Sequence, residues 1–333
     1  MRARLGWLGP IVVVVGLVVG GVGVWWMARS RPTPGPFVDL IAVGDRGAIA
    51  VRAEGGGTRN FVELIELGVG ARWQALVPPY AGTPQAPGLT VTQRLVNARV
   101  VRDGRDEVFT VALVDAVKVG GARLTEAWPQ APGGHTVPTV VSVDGVFHTY
   151  EVVGDATRHA VIALSRTDGL AAWRHEGTGA IVDAFEVGAK LALVNPDGAV
   201  VLLDAATGAI DPAATAAHAG ERVPVPAAEG APYDLTDPTL RGAAALGDAE
   251  ATAALATQPR LRFDPGARTL SVEGGAPIAW PPDALAPRPH HLAGAVGLLW
   301  MVWPDRVAAV DARTLATRWS SGAPPTWPDG VRR

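Results

Sequence analysis

Cysteine is absent from this 333-residue chain, and its absence excludes several classes of protein. Without thiols the chain has no disulfide framework, no cysteine-ligated zinc or iron–sulfur site and no thiol catalysis. A lipid anchor attached to an N-terminal cysteine is excluded for the same reason. The compartment stays open, because a large domain can fold in an oxidising space without disulfides.

Charge is also scarce, since acidic and basic residues make up only 18% of the chain and the formal net charge is −3. This balance gives no basic surface for a polyanion, so no nucleic-acid partner is predicted. What the chain has instead is 48% hydrophobic residues, 40 glycines and 28 prolines. That composition excludes a largely disordered chain and favours a turn-rich, all-β architecture over a helical bundle.

One long stretch near the start carries no charge. Leu5–Ala28 comprises 24 residues and ends with Trp25 and Trp26 close to its boundary. As a helix it would extend roughly 36 Å, enough to cross a bilayer, and indoles favour the headgroup region. A signal peptide is the alternative, but its apolar run is usually about 7–15 residues and precedes a small-residue cleavage site. We therefore predict that residues 1–28 form an uncleaved transmembrane anchor.

The charges that flank this anchor predict its orientation. Arg2, Arg4 and the α-amino group outnumber Arg29 and Arg31 on the other side. This excess favours a cytoplasmic N-terminus, with the rest of the chain on the outer, periplasmic or extracytoplasmic side. Residues 29–36 are rich in proline and glycine and are predicted to form a short, stiff linker. The expectation is a single-pass protein of the cell envelope.

Residues 37–333 repeat one pattern of an apolar run, a polar turn and a tryptophan. The copies are Val161–Trp173, Val307–Trp319, Val200–Pro212, Phe61–Trp73 and Val111–Trp128, with proline in place of tryptophan in the third. Two further strand-like runs precede each copy, so the unit is four strands over roughly 40 residues. Sheets of this kind bury both faces when they pack side by side around an axis, which predicts a β-propeller. A β-sandwich also has many short strands, but it need not repeat its sequence.

The number of blades depends on one irregular segment. Five regular units and a decayed one at Arg260–Trp280 predict six four-stranded antiparallel blades. Ala213–Thr257 is rich in alanine and proline and is predicted to be an insertion, with a short helix that begins at Asp237-Pro238. If this insertion hides another unit, the count becomes seven. We expect that a short linker could replace it without unfolding the domain, because loop length costs little entropy.

The repeat assigns structural roles to particular residues. An Asp-x-x-Thr-Gly turn supplies a carboxylate that caps backbone N–H groups and a glycine that tolerates positive φ. The tryptophan is expected to fill space between neighbouring sheets. The predicted structural positions are Trp73, Trp128, Trp173, Trp319, Gly169, Gly208, Asp204 and Asp311. Trp327 lies outside every repeat and is expected to contribute little to stability.

This pattern resembles the repeat of PQQ-like (quinoprotein-like) β-propellers, most clearly at Val161–Trp173, Val200–Ile210 and Val307–Trp319. The resemblance implies the fold and says little about function. Quinoprotein alcohol dehydrogenases of that superfamily carry a vicinal cysteine pair and a larger eight-bladed barrel, which do not match this chain. Non-enzymatic relatives include a scaffold lipoprotein of the outer-membrane β-barrel assembly machinery. The resemblance therefore implies a non-enzymatic propeller, here with an N-terminal membrane anchor.

Histidine offers the main candidates for chemistry, but none of the seven has a familiar metal-binding spacing. His290 and His291 are adjacent, so on a strand their side chains would point to opposite faces and could share a metal only at a bend. His148 and Tyr150 would share one strand face, where packing is the simpler interpretation and proton transfer the alternative. No catalytic, cofactor-binding or metal-ligating residue is predicted, and no cofactor.

The sequence favours one function and leaves two alternatives. The favoured function is that of a membrane-anchored, cell-envelope propeller that acts as a protein-interaction scaffold or binding module, with its partner on the propeller rim. The first alternative is an accessory subunit of a membrane complex. The second is a hydrolase or lyase with catalytic residues on loops around the channel. Two or more carboxylates, or a histidine–acid pair, converging there would favour the enzyme.

Overall fold

The protein is all-β over the residues that the structure, a computed structural model, describes. These are residues 32–45, 47–82, 88–92, 94–103, 105–113, 118–123, 139–228, 230–293 and 297–327. The predicted anchor and Trp128 lie outside these ranges. Within them, none of the helices combines the length and the apolar character needed to cross a bilayer.

The first three sheets have four strands each, paired in sequence order. Sheet 1 contains β1 (Pro34–Val43), β2 (Gly47–Glu54), β3 (Asn60–Glu66) and β4 (Gly70–Val77). Sheet 2 contains β5 (Leu89–Val91), β6 (Leu95–Arg102), β7 (Arg105–Ala112) and β8 (Lys118–Arg123). Sheet 3 contains β9 (Thr139–Asp144), β10 (His148–Gly154), β11 (Arg158–Ser165) and β12 (Ala171–Thr178).

The last three sheets are less regular. Sheet 4 contains β13 (Asp183–Val187), β14 (Lys190–Val194) and β15 (Val200–Asp204). Sheet 5 contains β16 (Tyr233–Asp234), β17 (Leu261–Asp264), β18 (Thr269–Val272) and β19 (Ile278–Ala279). Sheet 6 contains β20 (Leu292–Ala293), β21 (Leu298–Val302), β22 (Val307–Asp311) and β23 (Thr317–Ser320). Three helices, α1 (Pro212–Ala217), α2 (Pro238–Ala245) and α3 (Ala249–Thr257), and a 3₁₀ turn at Pro289–His291 complete the described elements.

The six sheets follow one another around a common axis. The first strands of sheets 1 to 4 contact one another in that order, from β1 to β5, β9 and β13, and β20 of sheet 6 contacts β1. Every pair of neighbouring strands within a sheet is antiparallel. Apolar clusters fill the junctions of sheets 1 and 2, 3 and 4, 5 and 6, and 6 and 1. The predicted β-propeller is confirmed, and the residues that the structure describes form the six sheets that were expected.

The repeat's apolar run forms the third strand of a sheet, as β11 shows. Its residues from Ala160 to Leu164 are all buried. Side chains alternate between the two faces of a strand, so an unbroken buried run requires a neighbour on each face. Val161 and Ala163 belong to the cluster shared with sheet 4, while Ile162 lies on the opposite face. The unbroken apolar run in the sequence therefore indicates a sheet that is covered on both faces.

Sheet 4 departs from the predicted four strands. After β15 the chain makes a single β-bridge between Leu203 and Ile210 and then enters α1 at Pro212. Asp211 caps this helix through a 2.9 Å hydrogen bond from Ala214 N to its Oδ1. Proline is favoured in the first turn of a helix and cannot donate to a strand ladder. The proline that replaces the repeat's tryptophan thus ends the fourth strand.

The N-terminal strand begins earlier than the predicted linker allows. β1 starts at Pro34, which pairs with Glu54 of β2, so the last three residues of the predicted linker at 29–36 already belong to sheet 1. Proline is tolerated as the first residue of a strand, as at Pro34, and at bulges, and the pairing of β1 with β2 shifts register between Pro34 and Phe37, around Pro36.

The segment predicted as an insertion, Ala213–Thr257, contains helices and also one short strand. As predicted, a helix begins at Pro238, and Asp237 Oδ1 accepts a 2.8 Å hydrogen bond from Thr239 N. However, Tyr233 and Asp234 form β16, the first strand of sheet 5. Helices α2 and α3 therefore connect the first two strands of one sheet.

These helices also cover sheet 4. Phe185, Val194 and Leu202 pack in one cluster with Ala243 and Leu246 of the helical segment. Gly242 makes the approach close, because a Cβ there would lie 2.3 Å from Cε1 of Phe185. The expectation that the segment is dispensable for folding does not agree with this packing, because a linker would leave an apolar face of sheet 4 in water.

Candidate functional site

The repeat turns hold neighbouring sheets together. Asp204 Oδ1 accepts hydrogen bonds from Thr207 N at 3.0 Å and Thr207 Oγ1 at 2.8 Å. Gly208 has a φ of +73°, which favours glycine, and a Cβ there would lie 2.5 Å from Cε3 of Trp173. Gly169 occupies the same place in the turn after β11, with a φ of +69°. Each glycine therefore serves both the turn and the close contact with the preceding sheet.

The repeat tryptophans that the structure describes lie at junctions between sheets. Trp73 Nε1 donates to Leu113 O of sheet 2 at 2.7 Å, and Trp173 Nε1 donates to Ala205 O after β15 at 3.3 Å. Trp319 packs against the cluster between sheets 6 and 1, with its ring centroid 6.1 Å from that of Trp300.

Trp327 has a larger role than its place outside the repeats indicated. Its Nε1 donates to Leu315 O at 3.0 Å, and its ring lies edge-on to Trp280 with centroids 6.2 Å apart. Leu315 has a φ of +57° and stands where the other turns have glycine; Asp311 Oδ1 accepts from Thr314 N in this turn at 2.9 Å. Because Trp327 seals the junction of sheets 5 and 6, the expectation of a small contribution is not supported.

A cluster of polar side chains lies where sheet 6 closes on sheet 1. We call it the closure cluster, and it consists of Asp39, Tyr80, Arg288, His290 and His291. Asp39 belongs to β1, Tyr80 follows β4, and the other three precede β20. The pairing of β1 with β2 shifts register between Phe37 and Asp39. Such an irregularity can redirect a side chain, and it coincides here with a carboxylate that is only 1% exposed.

Both oxygens of Asp39 are engaged. Oδ1 accepts from Leu40 N at 2.8 Å and from Arg288 Nη1 at 2.9 Å, and Oδ2 accepts from the Tyr80 hydroxyl. Burial by itself raises the pKa of Asp39, but the hydrogen bond and charge of His290, the charge of Arg288 and the Tyr80 hydroxyl together hold it well below its usual range. Asp39 is therefore an ionised, buried carboxylate.

The two histidines meet in a way that strand geometry does not allow. They lie in the 3₁₀ turn Pro289–His291, and their ring centroids are 4.7 Å apart. The strand geometry that would point the two rings to opposite faces does not apply here, because the 3₁₀ turn supplies the bend that lets them meet. Pro289 is the local signal for the turn, since proline favours the first position of a helical turn.

The nitrogens of the two histidines differ in their partners. His290 Nε2 lies 3.5 Å from Asp39 Oδ1. His291 is 1% exposed, and neither of its ring nitrogens has a hydrogen-bond partner in the part of the chain that the structure describes. Burial lowers the pKa of both imidazoles, and for His291 the charges of His290 and Arg288 lower it further. Burial therefore favours the neutral form of both rings.

The cluster brings together the donor set that sequence spacing did not reveal. One ligand atom each from Asp39, His290 and His291 lies within 4.8 Å of the others, and this is the group of potential metal ligands found among the described residues. Neutral imidazoles and an ionised carboxylate are the forms in which these side chains bind metals. The signals in the sequence were weak: an aspartate inside an apolar strand, and a histidine pair after a proline.

The same cluster contains the histidine–acid pair that the enzyme hypothesis requires. However, the oxygens of Asp39 already accept three hydrogen bonds, and His290 lies at the long distance of 3.5 Å. Asp39 and His291 are each 1% exposed, so a substrate has no direct access to them. This geometry is suited to holding a small ion rather than to transferring protons from a substrate.

The other histidine–tyrosine pair considered in the sequence is an aromatic contact. His148 lies edge-on to Tyr150 and Trp173, with centroids 5.9 and 6.1 Å away. The Tyr150 hydroxyl donates to Glu186 Oε2 at 2.7 Å, and burial, followed by this carboxylate, raises the pKa of Tyr150. These contacts agree with the packing interpretation of His148 and Tyr150 rather than with proton transfer.

A second candidate is a surface at one end of the propeller, which we call the apolar turn surface. It consists of Val69, Val146, Phe147, Leu170 and Ile210, which are exposed by 67, 80, 44, 53 and 54%. They lie in, or directly after, the first and last turns of sheets 1, 3 and 4. In an antiparallel sheet these two turns share one end.

One of these turns is held in place by the next sheet. Glu186 of sheet 4 accepts from Val146 N at 2.8 Å and from Phe147 N at 3.4 Å. Arg166 also ties the two turns of sheet 3 through a 2.8 Å ion pair with Asp144. Val146 and Phe147 are therefore presented to solvent on an ordered turn.

Comparison with known proteins yields similarity in solved structures alone. No protein-family model matches the chain, and no curated protein matches it. BamB from Moraxella catarrhalis is 12% identical, with 82% of this chain and 81% of that chain covered and a TM-score of 0.32. The Dos1 propeller is 8% identical, with 80% and 66% covered and a TM-score of 0.36. Quinohemoprotein alcohol dehydrogenase from Comamonas testosteroni is 11% identical, with 87% and 61% covered and a TM-score of 0.36. Similarities of this size carry no inference about activity or partners, and the fold assignment rests on the sheets of this chain.

Proposed function

We propose that this protein is a membrane-anchored β-propeller of the cell envelope that binds a protein partner without catalysing a reaction. The observation that carries the proposal is the apolar turn surface. Scattered apolar side chains are ordinary on a protein surface, but Val146, Phe147 and Leu170 lie in two turns at the same end of sheet 3, and a grouping of this kind is typical of an interaction site. Because the turn of Val146 and Phe147 is already ordered, a partner would bind with little further loss of conformational entropy.

The topology supports a protein as the occupant. The turn between β1 and β2 lies at the end with the apolar turn surface, whereas β1 starts at Pro34 at the opposite end. An anchor at Leu5–Ala28, joined through a short linker, would therefore hold the other end of the propeller near the bilayer. The apolar turn surface would then face away from the lipid. We propose that it lies on the outer, periplasmic or extracytoplasmic side, as the flanking arginines indicate.

The role of accessory subunit in a membrane complex is a special case of the same proposal, with a polytopic protein as the partner. Co-purification of such a protein in detergent would identify it. The enzyme alternative would need a substrate to reach the pair of Asp39 and His290, which burial opposes.

Photo-crosslinking in native membranes tests the proposed surface. A photoreactive amino acid at Phe147 is expected to give an adduct of one defined mass, and the V69S/L170S double variant should weaken that adduct. The same probe at Val225, which is 42% exposed and lies between α1 and β16, serves as the control. Adducts from Val225 and none from Phe147 would contradict the surface and point instead to the helical segment.

A carbonate wash tests the anchor separately. The full chain is expected to stay in the membrane pellet, because insertion of an uncharged helix does not depend on surface charge. Release into the soluble fraction with a new N-terminus near Ser30 would show that Leu5–Ala28 is a signal peptide.

A further inference from the structure

We infer that Asp39, His290 and His291 bind a divalent transition-metal ion at the closure of the propeller. The inference concerns the closure cluster and does not depend on the proposed partner surface. It rests on the donor set, the spacing of the donor atoms and the burial of an unpartnered imidazole.

The donor set has the chemistry of a first-row metal site. Two imidazole nitrogens and one carboxylate oxygen suit ions such as Zn²⁺ or Fe²⁺ better than Ca²⁺ or Mg²⁺, which prefer oxygen ligands. The three ligand atoms lie within 4.8 Å of one another. Around one ion with bonds of about 2.1 Å, donors stand roughly 3–3.5 Å apart, so small side-chain rotations close the remaining gap.

His291 supplies an independent observation. Its side chain is almost fully buried, with 1% of the residue exposed, yet neither ring nitrogen finds a hydrogen-bond partner among the described residues. A buried polar group without a partner is costly, and such groups call for an explanation. A bond to a metal removes that cost for the nitrogen that binds. The 3₁₀ turn places the ring beside that of His290, with 4.7 Å between centroids.

The surrounding groups determine how Asp39 would take part. Tyr80 donates to Oδ2 and in turn accepts a 2.9 Å hydrogen bond from Gly88 N, which orients the carboxylate. Oδ1 is the atom that faces Arg288 and His290. Hydrogen bonds of this kind to a ligating carboxylate orient it and tune its affinity for the ion.

Arg288 is a competitor for the same oxygen. Its Nη1 lies 2.9 Å from Asp39 Oδ1, where it neutralises the carboxylate. An incoming cation must displace this guanidinium from Oδ1 and is repelled by its charge. The site therefore binds metal more weakly with Arg288 than without it. This gives an unusual expectation, namely that removal of a buried arginine strengthens binding.

The ion would join the two ends of the ring. Asp39 belongs to β1 of sheet 1, and both histidines precede β20 of sheet 6. The same junction is otherwise closed by an apolar cluster and by a 2.8 Å hydrogen bond from Phe37 N to Pro304 O. Because a ligand that binds the folded state stabilises it, metal binding should raise the melting temperature.

The test uses the full chain without a polyhistidine tag, purified in detergent and stripped with a chelator. Zn²⁺ is titrated calorimetrically, and Co²⁺ is added in parallel to observe its visible absorption. The wild type is expected to bind one ion per chain, and H291F should lower the affinity by at least about 10-fold. R288M should raise the affinity by about 10-fold or more. His218, which pairs with Glu221 at 2.7 Å elsewhere on the surface, provides the control variant H218F with unchanged affinity.

Melting curves without metal show whether each variant folds, and H291F keeps the ring volume to protect folding. The inference is overturned if the wild type binds no ion, or if H291F binds as tightly as the wild type. It is also overturned if R288M binds more weakly than the wild type while still melting cooperatively. His159 and His175 of sheet 3 form another histidine pair, with ring centroids 6.2 Å apart. Loss of binding in H159F rather than H291F would place the ion there and would equally refute the site.

Discussion

Sheet 2 has two buried faces, and their chemistry differs. The face toward sheet 1 carries Val96, Ala98 and Val100, which pack with Ile49 and Val51 in one apolar cluster. Because side chains alternate along β6, Asn97 and Arg99 point to the opposite face, toward sheet 3. There the packing is polar. The same strand therefore contributes to one junction by excluding water from apolar groups and to the other through hydrogen bonds.

The polar junction of sheets 2 and 3 is internally satisfied around Asn97. Its Nδ2 donates to Thr149 Oγ1 of sheet 3 at 3.0 Å and to Thr90 Oγ1 at 3.2 Å. Its Oδ1 accepts from Thr110 Oγ1 at 2.7 Å. All four side chains are buried. A satisfied polar network adds directional contacts, so it constrains how the two sheets align as well as how tightly they pack.

A buried carboxylate extends this polar junction. Burial raises the pKa of Glu151 to about 7, against the opposing effects of a hydrogen bond from Ser142 and the charge of Arg99. Ser142 Oγ donates to Glu151 Oε2 at 2.6 Å. The polar face thus contains a titratable group, whereas the residues named on the apolar face are aliphatic.

The largest effect is expected at the apolar junction. Trp73→Ala removes an indole that spans sheets 1 and 2 and should lower the free energy of unfolding by about 3 kcal/mol. Trp73→Phe keeps most of the packing but loses the hydrogen bond to Leu113 O, with an expected cost of about 1 kcal/mol. Urea unfolding followed by circular dichroism measures both. Equal losses would mean that the hydrogen bond, rather than apolar packing, dominates this junction.

The polar junction should be sensitive to a single unmatched change. Asn97→Leu leaves the hydroxyls of Thr110 and Thr149 without their partner and should cost about 2 kcal/mol. The triple change N97L/T110V/T149V removes all of these polar groups together and should recover most of that loss. If the triple variant is less stable than the single one, shape rather than hydrogen bonding determines this junction.

A pH dependence should distinguish the two faces. The folded protein binds the Glu151 proton more tightly than the unfolded chain, because the pKa rises from its ordinary value of 4.5 to about 7. The unfolding free energy should therefore fall as pH rises across this window, by at most about 1.4 kcal/mol per pH unit. Glu151→Gln should abolish that contribution.

The measurement is the unfolding free energy at several pH values between 4.5 and 7. Glu176→Gln, at the exposed ion pair with Arg174, is the matched control and should keep the wild-type slope. An unchanged slope in Glu151→Gln would show that the carboxylate does not titrate within the folded protein in this range.

The smallest effect is expected where the network is redundant. Thr90→Val removes one acceptor at 3.2 Å, while Asn97 Nδ2 keeps its bond to Thr149, so the cost should be about 0.5 kcal/mol. The reverse exchange on the other face, Val96→Thr, buries a hydroxyl among apolar groups and should cost about 2 kcal/mol. Similar costs for the two exchanges would contradict the difference between the faces.

The repeat pattern predicted the sheets because it depends on local chemistry. Turn residues such as Asp204 and Gly208 form a turn with residues close to them in the chain, so the spacing of these residue types in the sequence predicts the turn. The short strand Tyr233–Asp234 was missed, because two residues carry no periodicity and only pairing with Phe263 and Arg262 makes them a strand. The contribution of Trp327 to stability was underestimated for a related reason. Its hydrogen-bond partner, Leu315, lies in a repeat turn that has leucine in place of the usual glycine.

The closure cluster shows the limit of the sequence more sharply. Asp39 is separated from the histidines by most of the chain, and the two ends meet only when the ring closes. An isolated histidine pair gives no sign of which carboxylate it will meet. The 3₁₀ turn that directs both rings to one place depends on Pro289 and on packing against β1, and the sequence pattern left such a bend open without predicting it.

The sequence by itself determined the all-β class, the order of the strands and the tight turns, because these depend on apolar alternation and on residues near one another in the chain. Only the tertiary structure decided which face of each strand meets which neighbour. In strands buried on both sides, such as β6, the pattern of apolar residues does not say whether Val96 or Asn97 faces sheet 3. The tertiary structure also brought Asp39 to His290 and His291, because closing a ring creates contacts between residues that no local interaction relates.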